Sequence, residues 1–520
     1  MFAFSFHPWS AQKQGSDGSV FDESRGCRWI FWTWLVLRTV FWTLLAATRP
    51  NGTPDLVEWV AWGHQWQLGY HKHPPLAAWL AAVFHNLTPN SLIGIYALSY
   101  LTIAFTLWCV WRIAQDILAP RLALISALCL EGYLLFSFEG ADYSNTLVLS
   151  ATWMATILSL QQALQTNALR WWLLLGVSVG FSALTKYQIV LLIAPLVAFT
   201  IVEARARAIW RSKEVYIAAG IALLIFLPHL MWMQSTNFIT VQYALDRAAG
   251  YQHWYDRLLF PAVFLFDQLL RILPVLAILA PLTFAVLGRS PRATRGSCDF
   301  LVFAFLGPLF LLLATSLVFG LRLLDVWGIP LWSLLGVFVL AFGKAGTPDA
   351  SRFKGVCAVA MTVAVIMYAA FIVREFWFAA WSRQPLREHF PGALIARKVT
   401  AAYRAIYGTE PAIIAGGAWI ANNIVCYSRP VPTLYAAPGF HLIVEEIYAP
   451  WTSDEDMRKR GGILVWEAHR DGATLPSSLK DRFPTAVLQP LLTVPYQGVS
   501  RFASAQIGWA LIPAASSVAR

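Results

Sequence analysis

Trp29-Ile-Phe-Trp-Thr-Trp-Leu-Val-Leu-Arg-Thr-Val-Phe-Trp-Thr-Leu-Leu-Ala-Ala-Thr48 is followed, five residues later, by Pro54-Asp-Leu-Val-Glu-Trp59 and then by Tyr70-His-Lys-His-Pro-Pro-Leu76. The first stretch is apolar and long enough to cross a bilayer. The next two, with His64 and His85, gather two carboxylates, a lysine and four histidines into one early loop. Such side chains are costly in hydrocarbon. A loop just outside the membrane, at the mouth of whatever the helices enclose, accommodates them, and chemistry is expected there.

The same apolar signal runs through most of the chain. Of 520 residues, 58% are hydrophobic and 13% charged, whereas a soluble protein carries roughly a quarter charged residues. Runs such as Leu191 to Val202, Tyr216 to Leu230 and Val356 to Val373 suit helices of about 20 residues crossing a core about 30 Å thick. Eleven spans are expected, at 29–48, 92–114, 121–138, 145–164, 171–186, 188–203, 214–234, 260–288, 299–319, 325–343 and 355–377. The fold class read from this pattern is a polytopic α-helical membrane protein.

Charge then orients the chain. Arg25, Arg28, Arg112, Arg121, Arg170, Arg205, Arg207, Arg211, Lys213, Arg289, Arg292, Arg295, Lys344, Arg352 and Lys354 all fall on one side of this map. A basic excess marks the cytoplasmic side. Residues 1–28 are therefore expected in the cytoplasm, and the loop at 49–91 and the segment 378–520 on the outer, periplasmic side. The net charge of +11 is read as topology, not as nucleic-acid binding. None of the six cysteines forms a CxxC pair, and only Cys426 lies in an outer segment, so no disulfide framework is expected. The polar, irregular start shows no cleavable signal.

From about 378 the composition changes. Pro411-Ala-Ile-Ile-Ala-Gly-Gly417 followed by Ile420 to Tyr427 reads as strand, turn and a further element, and Gly462-Ile-Leu-Val-Trp466 as a short buried strand. Residues 378–520 are taken as a small α/β domain, with 29–377 as the transmembrane domain. No internal repeat is visible.

Asp55 and Glu58, three apart, share one face of a helix. Two carboxylates there suit a divalent cation, or a general base with a neighbour that tunes it; a first helical turn also favours acidic residues without any chemistry. In Tyr70 to Pro75 a Pro-Pro pair makes a rigid turn, and Lys72 and His73 beside it suit an anionic phosphate or simply lipid headgroups. Glu139, Asp142 and Tyr143 occupy the next outer loop, which must return near the first, so that Asp142 joins Asp55. Lys186, at a break between two short spans, is a ligand-binding candidate or a snorkelling lysine, and Arg322 between spans nine and ten is read in the same way. Arg38 inside the first span requires a buried partner. Pro228-His229 reads as a kink with a satisfied histidine, and Asn51-Gly-Thr53 fits a glycosylation sequon. There is no Walker A loop and no GxGxxG, so nothing points to direct use of a nucleotide.

Asp55-x-x-Glu58-Trp59, Trp62-Gly-His-Gln65, Gly69-Tyr70, His73-Pro-Pro-Leu76 and Trp79 together resemble the first outer loop of bacterial GT-C glycosyltransferases. These are membrane enzymes related to protein O-mannosyltransferases, the lipid A aminoarabinose transferase and the rhizobial lipopolysaccharide galacturonosyltransferases. The resemblance continues through Asp142 to Thr146, Leu184 to Tyr187, Pro228 to Trp232 and Arg322 to Pro330, covers roughly residues 30–340, and does not reach the C-terminal segment. It implies a GT-C-like fold in the cell inner membrane, a polyprenyl-phosphate sugar donor and an outer-leaflet acceptor, lipid or protein, with inversion at the anomeric carbon. Asp55 becomes the leading catalytic carboxylate, with Glu58 and Asp142 near it. Lys72 or His73, together with Lys186 and Arg322, would meet the donor phosphate. The family often carries an acidic residue directly after this aspartate; Leu56 stands here, which weakens the case for a metal.

Two other readings compete. A transporter or flippase of lipid-linked sugars also carries ionisable groups and broken helices, but the charges here cluster in outer loops and no inverted repeat is seen. A non-catalytic scaffold would tolerate loss of the Asp55 carboxylate.

Overall fold

The computed structural model describes residues 18–89, 91–250, 252–283, 295–343, 347–436 and 448–515. Arg289, Arg292 and Lys344 of the basic loops, and residues 1–17 of the N-terminal segment, lie outside the described residues. The first span is longer than read from sequence, for helix α1 (Gly18–Ala46) already runs through Arg25 and Arg28. Two short helices make the following loop, α2 (Pro54–Gly63) and α3 (Leu76–Leu87). Proline at the first position of α2 suits a site where the backbone N–H has no helical partner.

The chain continues as α4 (Ile93–Gln115), α5 (Pro120–Leu128), α6 (Asn145–Thr166), α7 (Leu169–Ala183), α8 (Val190–Val202) and α9 (Lys213–Ser235). Then come α10 (Ile239–Ala248), α11 (Asp256–Thr283), α12 (Arg295–Leu301), α13 (Gly307–Phe319), α14 (Leu335–Phe342), α15 (Ala350–Ile372) and α16 (Ala379–Ser382). Among the described residues eight helices are long and apolar enough to cross a membrane, and the protein is a multi-pass membrane protein. The other three of the eleven expected spans take another form. Segment 121–138 is cut short, because α5 gives way to 3-10 turns at Cys129–Gly132 and Leu134–Phe136. Segments 171–186 and 188–203 become shorter apolar helices, Leu169–Ala183 and Tyr187–Val202. The last span does not stop at 377 but continues to Ser382.

Irregular backbone at 129–141 serves the buried charge in α1. Arg38 Nε donates to Glu131 Oε1 at 2.7 Å, its other arm reaches Phe136 O, and Trp34 Nε1 donates to the same carboxylate at 2.8 Å. Glu131 is the partner that Arg38 requires. A charge in hydrocarbon is tolerated when paired and hydrogen-bonded.

After α17 (Gly392–Tyr407) the chain forms a six-stranded sheet. Its strands are β1 (Ile413–Gly416), β2 (Thr433–Ala436), β3 (Gly462–Glu467), β4 (Val487–Leu488), β5 (Leu492–Pro495) and β6 (Ser504–Ile512), in the order β2-β1-β3-β6-β4, with β5 also on β6. β1 pairs in parallel with β2 and β3, and the remaining pairs are antiparallel. Helix α18 (Ala418–Tyr427) makes the β1–β2 crossover and is buried against α2.

This segment grips the 49–91 loop. Asn51 is fully buried: its N–H donates to Glu388 O at 2.8 Å, its carbonyl accepts from Tyr96 Oη, and its Oδ1 accepts from Tyr427 Oη at 2.7 Å. A side chain held this way is not presented to a glycosylating enzyme. Gln65 adds a bridge, donating to Pro432 O at 3.4 Å and accepting from the Leu434 N–H at 3.2 Å.

Candidate active site

Three loops converge on one cavity because specific backbone groups tie them together. Helices α2 and α3 close on each other at Gly63, where a Cβ would lie 2.0 Å from Ala78 O; only glycine allows that approach. The Tyr70–His73 turn is closed by reciprocal bonds, Tyr70 N–H to His73 O and His73 N–H to Tyr70 O. Past the Pro-Pro pair, the Leu76 N–H donates to Leu184 O at 3.0 Å, which sets the Lys186 break beside this turn. Tyr143 Oη donates to Ala77 O at 2.8 Å and draws the Asp142 loop against α3. His229 behaves as a satisfied histidine: Nδ1–H donates to Leu68 O at 2.7 Å, and Nε2 accepts from Tyr187 Oη, which in turn meets Thr240 on α10.

The cavity has a volume of about 790 Å³, large enough for the polar portion of a substrate. Asp55, Glu58, Lys72, His73, Asp142 and Lys186 all line it. Arg322 does not. Gly320, in the left-handed region at φ +68°, ends α13; Leu321 and Leu324 beyond it line the cavity, while Arg322 is exposed and does not line it. The Arg322 backbone N–H donates to Ala248 O at 2.9 Å and its side chain packs beside Gly250, so it anchors the end of α10.

Three cations that sequence reasoning missed also line the cavity: Arg247, Arg271 and Arg374. Arg247 comes from α10, which docks through Tyr243 set edge-on to His71 and His73 at 6.1 and 5.9 Å between ring centroids. Arg271 was hidden in an apolar span; an ionisable residue inside such a span was the available signal.

Most lining charges are paired. Lys72 Nζ donates to both Glu58 oxygens at 2.7 and 2.9 Å. Arg271 holds Glu139 at 2.9 Å and also Asp325. Asp142 accepts from Arg49 at 2.9 Å, and Arg374 pairs with Glu375 and, at 2.6 Å, with Glu388. Among the described residues no ion pair engages Asp55, Lys186 or Arg247, and Lys186 reaches only Thr146 Oγ1 at 3.3 Å.

These environments set protonation. Asp55 is open to the cavity, yet desolvation by the protein packed around that cavity pushes its carboxyl above the ordinary value, against the opposing pull of Lys72, Arg247 and Lys186. Burial likewise raises Glu58 against Lys72. Burial, reinforced by Lys186 and Lys72, holds His73 well below the usual histidine range, so it is a neutral donor or acceptor. Burial lowers the Lys186 ammonium to about 8, with Asp55 acting to raise it. A divalent cation fits poorly: both Glu58 oxygens are taken by Lys72, and among the described residues no three His, Cys, Asp or Glu side chains converge.

Comparison with known proteins bears on the fold and the family. The model of the family described as dolichyl-phosphate-mannose-protein mannosyltransferase matches residues 72–232. The chain is 25% identical over 401 residues to the lipopolysaccharide core galacturonosyltransferase RgtB of Rhizobium johnstonii, covering 73% of this chain and 78% of RgtB. It is 22% identical to RgtA of the same organism, also a lipopolysaccharide core galacturonosyltransferase, covering 81% of this chain and 82% of RgtA. The crystal structure of ArnT from Cupriavidus metallidurans bound to undecaprenyl phosphate superposes with a TM-score of 0.62 at 14% identity, covering 94% of this chain and 98% of ArnT. At that identity the likeness establishes the fold, and the chain has the GT-C-like fold expected from its outer-loop residues.

Proposed function

We propose that this chain is a membrane glycosyltransferase that moves a sugar from a polyprenyl-phosphate donor to a lipopolysaccharide or other lipid acceptor, with Asp55 as general base. One observation carries the reading. Among the described residues, the lining charges outside ion pairs are a carboxylate whose affinity for a proton is raised by the surrounding protein and two cations, all facing one cavity. Transfer from a lipid phosphate calls for this set: a base for the incoming hydroxyl and positive charge for the outgoing phosphate.

In the reaction the acceptor hydroxyl gives its proton to an Asp55 oxygen as its own oxygen bonds to the anomeric carbon. The bond from that carbon to the phosphate oxygen breaks, and its electron pair leaves on the phosphate, which Lys186 and Arg247 hold. Lys72 stays on Glu58 and adds positive field from behind. Attack opposite the leaving group inverts the anomeric centre. No step requires a metal.

The relatives RgtB and RgtA are named galacturonosyltransferases, and ArnT was crystallised with undecaprenyl phosphate; a galacturonosyl unit on a polyprenyl phosphate is therefore the first donor to try. The basic loops support placing the chain in the cell inner membrane with loop 49–91 and the C-terminal domain, residues 378–520, in the periplasm. Incubating the purified protein with polyprenyl-phosphate sugars and a lipopolysaccharide acceptor should release polyprenyl phosphate and label the acceptor for at least one sugar. Failure of every donor to turn over defeats the proposal.

A further inference from the structure

A second cavity, of about 470 Å³, lies behind the wall that carries Asp142. Arg49 and Glu375 line it from the transmembrane part, and His389, Val499 and Arg501 from the C-terminal segment. The wall between the two cavities consists of ion pairs. Arg49 faces the second cavity and bonds Asp142, which faces the first; Arg374 faces the first and holds Glu375, which faces the second. The two spaces are therefore back to back across a charged partition.

Its depth is marked by aromatic residues. Beside it Trp377 and Trp381 are 73% and 82% exposed at the end of the last long helix. Tryptophans that stand out in this way sit at the level of lipid headgroups. Of the two lining arginines, buried Arg49 already holds Asp142 and Glu375, whereas Arg501 is exposed and, among the described residues, in no ion pair, so Arg501 is the one that can meet a ligand. Arginine forks suit phosphate oxygens.

We propose that this cavity holds the phosphorylated headgroup of the acceptor lipid and so presents the acceptor to the Asp55 cavity across the Asp142 wall. This rests on the glycosyltransferase reading above. The lipid, not a soluble phosphate ester, is the occupant, because the site opens at the membrane interface.

The test uses the full-length protein in nanodiscs, with binding read by native mass spectrometry. The probes are lipid A bearing its phosphates, the same lipid after phosphatase treatment, and inorganic phosphate as competitor. Wild-type protein should retain the phosphorylated lipid preferentially. Arg501→Gln should weaken that binding by about tenfold, the loss expected for one charged hydrogen bond. Arg501→Lys should recover most of it, and Val499→Trp, which fills the space, should remove it. Equal binding of the phosphorylated lipid by wild type, Arg501→Gln and Val499→Trp overturns the proposal. So does equal retention of both lipids by wild type, or binding of inorganic phosphate with no preference for the lipid. Sugar release from donor to water by wild type, without acceptor, judges the glycosyltransferase reading separately, and its absence would leave the binding result standing.

Discussion

Replacing Asp55 by Asn keeps the shape and hydrogen-bonding capacity of the side chain while removing its charge and its ability to take a proton. Loss of a general base typically costs 10²–10⁴-fold in rate, or about 3–5 kcal/mol of barrier. The structure adds a second, pH-dependent consequence. Lys186 titrates near 8 and owes part of its remaining positive charge to Asp55. A lysine with a lowered pKa is charged below that value and loses its charge as pH rises through it. At about 8 the charged form dominates roughly tenfold at pH 7 and is outnumbered roughly tenfold at pH 9. Donor affinity in the wild type should therefore fall as pH rises through about 8. In Asp55→Asn the supporting charge is gone, so the fall should begin at lower pH. The assay is single-turnover transfer together with equilibrium binding of the lipid-linked donor from pH 6 to 9. At pH 7 the variant should bind donor within a few-fold of wild type and transfer at least about 100-fold more slowly. Wild-type turnover in Asp55→Asn would refute the base, and a pH profile of binding identical in both proteins would refute the coupling to Lys186.

Lys186→Ala and Arg247→Ala should each weaken donor binding by about 1–3 kcal/mol, the worth of a charged hydrogen bond, whereas Arg322→Ala should leave donor affinity unchanged; a donor-binding titration on all three separates the cations that line the cavity from the one that does not. Glu131→Ala strands the buried Arg38 charge and should cost about 3–5 kcal/mol of stability, visible as a lowered thermal unfolding midpoint in detergent; an unchanged midpoint would mean that Arg38 finds another partner. Reporter fusions after Thr88 and after Trp381 should be active only as periplasmic reporters, and a cytoplasmic signal at either point reverses the proposed orientation.

The loop from Asp55 to Leu76 was legible because its residue types are rare beside apolar spans and because proline constrains its path locally. Asp142 and Lys186 were legible for a related reason, since short connections between spans must return to the same face. Arg38 announced that it needed a partner but not which, for Glu131 lies 93 residues away and is brought to it only by the 3-10 turns after α5. Arg247 was invisible because α10 is placed by aromatic contacts of Tyr243 with His71 and His73, not by any period in its own sequence. Arg322 was expected at the donor phosphate but does not line the cavity that Leu321 and Leu324 line, and the irregular stretch after Gly320 has no period from which this could be read. Lys72 was legible as a cation, but its commitment to Glu58 required the structure.

The bonds made by Asn51 have a consequence for biosynthesis. This residue leaves the ribosome early, yet it is held by Tyr427, made 376 residues later. At about 5–20 residues per second, the loop bearing Asp55 waits roughly 20–75 s for the side chain that locks it. Until then the helices after it are inserted one by one around a loop that is not yet locked. A chain truncated before Tyr427 therefore lacks the side chain that closes on Asn51, however many of its spans are already in the membrane.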